Sequence, residues 1–498
     1  MNRTNKRKGA KAGMVSLFRV LAPAVFISIW ISGCAMVGPD YKQVQPKTSE
    51  NWQAEMEKGL ESVKPENSKL AQWWEVFDDP LLIRLEKRAV QGNLELKTAL
   101  SRLRQARLGR GITESRLSPG LDAGGRAQRQ RTSESVPSTS GGEQQNYYLS
   151  QFDSSWELDL FGGIRRSVQA AQAEIEASRA DLDDVLISLM AEVALNYTKV
   201  RTYQQRLRIT RANIKTQKKT YELNRSRYRS GLIDELAVQQ SLRNLERTRS
   251  TVSSLQSGLK TVKNRLAVLL GLEPGALEQE LESIEPIPGG PARVAVGIPA
   301  EAMRRRPDIR RAERELAAQT ASIGEATAEL YPKFHLFGTI GLEALDAGGD
   351  FLSAQSRFWQ IGPGMSWKIF QGNSIRMNID LETEKQRAAM IAYKSAVLDA
   401  RQEIEDALTA YAKERMRRES LEKAVAAAKR TEFLARDRYK AGLVDFYNVL
   451  EAQRSLLELE DELIRSTGQV SSNLVSLYKT LGGGWRYEDE LVRNSKEE

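Results

Sequence analysis

At 498 residues the chain is long enough for more than one ordinary core. Its mean hydropathy of -0.47 and its 28% charged residues fit long solvated helices better than one large globule. The formal charge of +9 does not point to nucleic acid, because Arg3, Lys6, Arg7, Lys8, Lys11 and Arg19 supply six of the positive charges, and without them about +3 remains. With one cysteine, no disulfide forms within a chain, so stability must come from packing and assembly.

Those basic residues precede the apolar run Val20–Ile31, which is too short to span a bilayer comfortably and reads as the apolar region of a signal peptide over residues 1–33. The run ends in Ile31-Ser32-Gly33-Cys34, with small residues just before the sole cysteine. This resembles a bacterial lipobox, in which the cysteine is diacylated and becomes the new N-terminus. The alternative is an ordinary signal peptide with an incidental cysteine. Ala35 follows, not the aspartate that commonly retains lipoproteins in the inner membrane, so the lipobox rule implies the outer membrane.

Next comes an internal duplication. Tyr228-Arg-Ser-Gly-Leu-Ile-Asp234 reads against Tyr439-Lys-Ala-Gly-Leu-Val-Asp445 at an offset of 211 residues. The register holds onto Val238 and Val449, Leu266 and Leu477, and Leu270-Gly271 and Leu481-Gly482; upstream it pairs Trp156 with Trp367. Such self-similarity means one structural unit built twice. No proline occurs between Pro137 and Pro274, or after Pro363, so each repeat can hold uninterrupted helices. Leu186, Val193 and Val200 recur at seven, as do Val397, Ile404 and Tyr411 in the second repeat. Sustained heptads favour left-handed supercoiling of packed helices. A helix from about Gly163 to Arg229 would run on the order of 100 Å. It turns at Ser230-Gly231 and returns to about Leu270; the second repeat turns at Ala441-Gly442. On the helices alone, a solvated coiled-coil stalk is the preferred reading.

The strand signals favour a membrane sheet over the stalk. Phe152, Trp156, Leu158 and Leu160 fall on one face, with Gln151, Asp153, Glu157 and Asp159 on the other. Leu336, Ile340 and Leu342 alternate with His335, Thr339 and Glu343, and Trp359, Ile361, Met365, Trp367 and Ile369 alternate with Gln360, Gly362, Ser366 and Lys368. Period-two alternation with aromatics toward the ends suits a barrel strand with lipid outside and water inside. The first strand, near Leu121 to Arg131, is weaker and carries several arginines; the polar loop Thr132–Gly142 follows it. Four strands cannot close a barrel and an open edge cannot face lipid, so several chains must share one barrel.

No catalytic pattern is present, whether HExxH, GxSxG, Walker-type or CxxC, so no enzyme is expected. No cofactor is expected either. His335, the sole histidine, sits in a predicted strand and reads as a lumen-facing or interface residue; no metal site is expected.

Further motifs run almost the full chain. They are Cys34-Ala-Met-Val-Gly-Pro-Asp-Tyr41, Trp73-Trp74 with Phe77-Asp-Asp-Pro80, Asn93-Leu-Glu-Leu96 before Gln105-Ala-Arg107, and Trp156-Glu-Leu-Asp-Leu-Phe-Gly162. Arg306-Pro-Asp-Ile-Arg310, Leu330-Tyr-Pro332 and Leu481-Gly-Gly-Gly-Trp485 follow in the second half. Together they resemble the outer membrane factor family, the TolC-type efflux ducts, in its lipoprotein branch, NodT/OprM-like. The resemblance implies a mixed α/β membrane protein with an internal duplication. It would be a homotrimer forming a twelve-stranded outer membrane β-barrel, continued by a long periplasmic α-helical barrel with a mixed belt around its middle. It further implies a passive exit duct for drugs or other small toxic compounds, served by a periplasmic adaptor (membrane fusion protein) and an inner-membrane efflux transporter of RND or similar type. The competing reading is a non-conducting coiled-coil lipoprotein that tethers envelope layers.

On that pattern the signal peptide (1–33) precedes a lipidated N-terminal segment and equatorial region (34–85) and a first repeat (86–272). The first repeat holds a helix, a β-hairpin at about 119–161 and a long helical hairpin at 163–271. A linker and equatorial region (273–305) leads to the second repeat (306–482), with its β-hairpin at about 333–370 and helical hairpin at 374–481. A tail (483–498) closes the chain. The resemblance places a periplasmic aperture at the second helix turn, where Asp445, Asn448 and Glu451 lie three, six and nine residues after Gly442. A symmetric ring of acids favours cations, whereas acids at a helix start also serve as caps or dipole partners. The first repeat carries Ala237 and Gln240 at the later two places. Tyr439 matches a family tyrosine that ties neighbouring hairpins shut; the aspartate it would reach is replaced by Ala237, and Asp234 is the candidate substitute.

Overall fold

The computed structural model describes residues 36–44, 51–57, 59–63, 70, 72–131, 133–135, 142–345 and 351–484. Cys34 and Trp485 lie outside them. The elements are β1 (Leu60–Glu61), a 3-10 turn (Trp73–Phe77), α1 (Pro80–Gly92), α2 (Leu94–Ser115), β2 (Gly120–Arg131), β3 (Gln144–Leu158), α3 (Gly163–Arg229) and α4 (Glu235–Leu269). After these come β4 (Val294–Ala295), α5 (Pro299–Arg305), α6 (Pro307–Ala328), β5 (Lys333–Ala344), a second 3-10 turn (Ala354–Ser356), β6 (Arg357–Ser366), α7 (Ser374–Lys440) and α8 (Phe446–Thr480). The long helices repeat in the 211-residue register: α3 and α7 have 67 residues each, α4 and α8 have 35. Gly162 and Asn373, at the same place before the long helices, both take positive φ. The chain divides into two compact units, residues 1–44, 104–177 and 312–392 in one and residues 45–103, 178–311 and 393–498 in the other.

The first unit contains an antiparallel four-stranded sheet in the order β2-β3-β5-β6. Its register sorts the side chains by period two. Ala123, Phe152, Ile340 and Trp359 align in one row across all four strands, and the adjacent row is Asp122, Asp153, Thr339 and Gln360. Successive rows point to opposite faces, so the sheet has one apolar and one polar face. On the polar face the Thr339 hydroxyl donates to Asp153 at 2.8 Å. The apolar face lies open: Leu121, Phe152, Ile340, Trp359, Ile361 and Met365 are all more than half exposed. Strands β2 and β6 are its free edges.

Two strand ends fall short of the expected alternation. β3 stops at Leu158 and β6 at Ser366, so Leu160, Trp367 and Ile369 lie beyond the ladder. Asp159 turns away to cap α3, accepting from the amides of Ile164 and Arg165 at 3.1 and 2.9 Å. Both paired tryptophans brace a foot of the sheet against the chain end of the preceding helix: Trp156 Nε1 donates to the Leu117 carbonyl at 2.8 Å, and Trp367 Nε1 to that of Leu330 at 3.0 Å.

The second unit is helical, and its core explains the sequence motifs. Trp73 and Trp74 are fully buried, and Trp73 stacks on Tyr478 at 5.7 Å. Asp79 caps α1 through the amides of Leu81 and Leu82, ahead of Pro80 at the first turn, and its other oxygen accepts from the Tyr197 hydroxyl at 2.6 Å. Asn93 caps α2 at Leu96 and donates to the carbonyl of Leu269, the last residue of α4. Arg306 repeats the arrangement, donating to the carbonyl of Thr480 at the end of α8 while gripping Asp308 and Glu403. Each returning helix therefore has an orphan terminal carbonyl satisfied by a side chain that opens another helix. Leu186, Leu189, Met190, Val193, Val200, Leu266 and Leu474 fill the space between.

The hairpin tips as candidate functional site

Both tips end with the same hydrogen bonds. The amide of Leu232 donates to the Arg227 carbonyl and that of Leu443 to the Arg438 carbonyl, each at 2.9 Å. Gly231 and Gly442 sit at φ 67° and 74°, a left-handed conformation that favours glycine. Asp234 and Asp445 then hold the N-cap positions of α4 and α8.

Within that shared frame the chemistry differs. Asp234 accepts from the Leu236 amide at 3.4 Å, while the Asp445 side chain makes no capping bond. Asp445, Asn448 and Glu451 lie three residues apart along the exposed face of α8. Phe446, Val449, Leu450 and Gln453 fill the buried face. Arg454 stands 4.0 Å from Glu451, both half exposed.

The tyrosines differ most. Tyr228 is 44% exposed, and its counterpart Tyr439 is 7% exposed. Tyr439 packs with Phe446, Val449 and Leu450, against which Ala237 of the first repeat also rests. Arg227 lies over its ring at 5.0 Å. Its hydroxyl donates to Asn224 Oδ1 at 3.1 Å, not to Asp234. Asn224 is wholly buried, and its amide reaches the Ala237 carbonyl at 3.4 Å. The structure thus brings Tyr439 to the first repeat through Asn224, a residue the sequence reading did not single out. It leaves Asp234 on its own helix.

Asn224 closes a heptad line that changes character along α3. Leu182 and Leu189 begin it, Asn196 and Tyr203 follow, and Thr210, Gln217 and Asn224 end it, the last three buried. Polar ties between the repeats accompany the change. Arg206 pairs with Asp461 at 2.6 Å, Asn213 reaches Glu460 at 3.4 Å, and Thr220 meets Gln453 at 3.4 Å. Among the described residues no cluster of His, Cys, Asp or Glu is arranged to hold a metal.

Comparison with known proteins matches this architecture. The sequence profile described as Outer membrane efflux protein covers residues 85–272 and 298–483, one stretch for each repeat. Nodulation protein T of Rhizobium leguminosarum bv. trifolii is 30% identical over 469 residues, covering 92% of this chain and 96% of that protein. Outer membrane protein OprJ of Pseudomonas aeruginosa is 28% identical over 475 residues, covering 94% and 97%. The solved outer-membrane channel OprN superposes with a TM-score of 0.83 at 34% identity, over 90% of this chain and 99% of that one. With both halves of the duplication matched, this chain belongs to the outer membrane efflux protein family.

Proposed function

We propose that three copies of this chain form the passive outer membrane duct of a tripartite efflux system, carrying drugs or other small toxic compounds across the periplasm and outer membrane. The open apolar face of the four-stranded sheet carries this reading. A soluble chain rarely exposes so large a contiguous apolar patch. Lipid can cover the face, but it cannot satisfy the free edges β2 and β6. Copies joined edge to edge close them, giving twelve strands in a trimer. The polar face then lines the lumen, and the helical hairpins extend the duct through the periplasm.

Relatives described as a solvent efflux pump outer membrane protein and a toluene efflux pump outer membrane protein support apolar toxic cargo. The inner-membrane transporter supplies the energy, and a periplasmic adaptor joins it to the duct. Leu232, Leu236, Leu443 and Tyr447 stand exposed at the tips and offer apolar contact to that adaptor. Cys34 carries the lipid anchor. Glu451, with Asp445 and Asn448, faces the periplasmic aperture. Asp445 is a strong candidate because its carboxylate is not spent on a cap. Tyr439 and Asp234 contribute to the tip contacts. Purified protein in planar bilayers tests the reading: a heat-resistant trimer with discrete ion conductance is expected. A trimer that never conducts would favour the envelope-tethering lipoprotein.

A further inference from the structure

We propose that Arg129, Arg131 and Arg357, on the apolar side of the sheet at its loop end, bind the phosphate groups of the phosphorylated glycolipid of the outer leaflet. The inference rests on the reading that this apolar face meets lipid. Alternation sorts the charged residues of the four strands by face. Asp122, Asp153, Glu157 and Glu343 all fall on the polar face, together with Arg126 and Lys333. Arg129 and Arg131 continue the alternation of Ala123 and Ala127 on the apolar face, and Arg357 lies two residues before Trp359 on that same face. The contacts agree, since Arg129 Nη2 donates to Oε1 of Gln144, an apolar-face position of β3, at 2.9 Å. Within the strands the apolar face thus carries arginine and no acid, and its charge is confined to one end.

That end lies at the outer boundary of the membrane. The foot of the sheet is the end braced by Trp156 and Trp367, and the arginines stand opposite it. β2 has 12 residues, about 40 Å of strand at ~3.4 Å each. Tilted by about 45° it rises about 28 Å, close to the ~25 Å apolar band of membrane barrels. The strand ends slant across the sheet. At the loop end β2 stays paired as far as Gln144, whereas β6 begins with Arg357 in the row of Leu342 and Ser150. At the foot β2 begins in the row of Ser155, whereas β6 runs on to Ser366 opposite Lys333. Both ends shift the same way, as they do when tilted strands end in two common planes. Arg357 therefore stands level with Arg129 and Arg131. An outward arginine is costly at the midplane and tolerated near the interface. Just below the arginines on the same face are Trp359, 75% exposed, and Tyr148, edge-on to Phe351 at 6.4 Å. Such aromatics favour the interface.

β2 and β6 are also the free edges. Copies joined edge to edge bring the strand of Arg357 beside a strand carrying Arg129 and Arg131, ~4.8 Å away. Each seam then gathers three guanidinium groups, whose forks match pairs of phosphate oxygens. Their present partners compete weakly. Arg131 pairs with Glu134 at 3.1 Å with both side chains exposed, a kind of pair worth little in water. Arg129 meets only an amide oxygen. A phosphomonoester on the glycolipid headgroup brings close to two negative charges, more than the single charge of a phosphodiester lipid.

The test uses the full-length trimer, stripped of lipid and titrated with rough lipopolysaccharide while native mass spectrometry counts the bound copies. Up to three per trimer are expected. Arg129→Gln, Arg131→Gln and Arg357→Gln combined should weaken binding about tenfold or more, because charge-assisted bonds are lost. Lysine at the same three positions keeps the charge without the fork and should fall between. Arg126→Gln, on the polar face of β2, should bind as wild type does. Glycolipid with its phosphates removed should bind wild type no better than the intact form binds the combined variant, and this arm holds even if that variant does not assemble. Undiminished binding by the combined variant, undiminished binding of the dephosphorylated glycolipid, or equal binding of phosphatidylglycerol would each overturn the proposal. A chain that forms neither trimer nor conducting channel before lipopolysaccharide is added would instead refute the duct reading, and the lipid site with it.

Discussion

Replacing Tyr439 with phenylalanine removes one atom from the tie between the repeats. The hydroxyl donates at 3.1 Å to Asn224 Oδ1, and Asn224 is 0% exposed. Losing the donor strands a buried acceptor, which costs roughly 1–3 kcal/mol. The lower half of that range applies, because the ring keeps its contacts with Phe446 at 5.5 Å and Arg227 at 5.0 Å. A loss of one to two kcal/mol raises local opening about 5- to 30-fold. Hydrogen–deuterium exchange over residues 437–449 measures that opening directly, and single-channel recording shows whether conductance rises with it. Asn224→Ala combined with Tyr439→Phe should cost less than the two changes summed, since both remove the same bond. Tyr228→Phe is the control, because Tyr228, 44% exposed, sits at the same place in the first repeat. Unchanged exchange in Tyr439→Phe, or an equal change in Tyr228→Phe, would refute the argument that this bond holds the tip.

Other outcomes follow from the same geometry. Glu451→Ala should lower cation preference and block by multivalent cations in bilayer recordings, while Gln240→Ala changes neither; equal selectivity in wild type and Glu451→Ala would leave Asp445 as the aperture acid. Cys34→Ser should abolish incorporation of labelled fatty acid and weaken membrane anchoring, and undiminished labelling would sink the lipobox reading. Replacing residues 132–143 with Asn-Gly should preserve the trimer on a gel, because Arg131 pairs with Gln144 and a two-residue turn can join them. Cutting to residue 146 would instead remove part of β3. Glu86→Leu should stabilise the protein. Glu86 is wholly buried with both carboxylate oxygens unbonded, and burial raises its pKa well above 4.5. The folded state then holds a proton that the unfolded chain releases, so the native residue costs stability increasingly as pH rises past its ordinary value. The substitution should gain about 1–3 kcal/mol at neutral pH, with the gain shrinking below pH 4.5; thermal midpoints at the two pH values would show it.

The long helices were legible because proline is incompatible with a helix interior and the prolines avoid two whole stretches of the chain. The sheet was legible because lipid and water on opposite faces impose a period of two on β3, β5 and β6. β2 was faint because its arginines and glycines leave little apolar signal; Leu121, Ala123 and Ala127 fall on the apolar face, and the ladder with β3 supplies the rest. The strand ends were misread because alternation continues in sequence after Asp159 has turned to cap α3. Asn224 was missed although its heptad line carries a signal: leucine gives way to threonine, glutamine and asparagine at positions that stay buried. Arg166 had no such signal: besides Gln169 three residues on, its side chain donates to Val37, Gly38 and Asp40, more than 120 residues away in sequence, and only the folded chain brings them together.

The duplication has a consequence for docking. The backbone copies itself at an offset of 211 residues, while the tip side chains do not. A trimer therefore presents six hairpins of nearly one shape but two chemistries in alternation. A partner that reads only backbone contour meets six equivalent seats. One that reads side chains meets three, each beside a different neighbour. Substituting a side chain at one kind of tip would therefore alter three of the seats and leave the other three as they were.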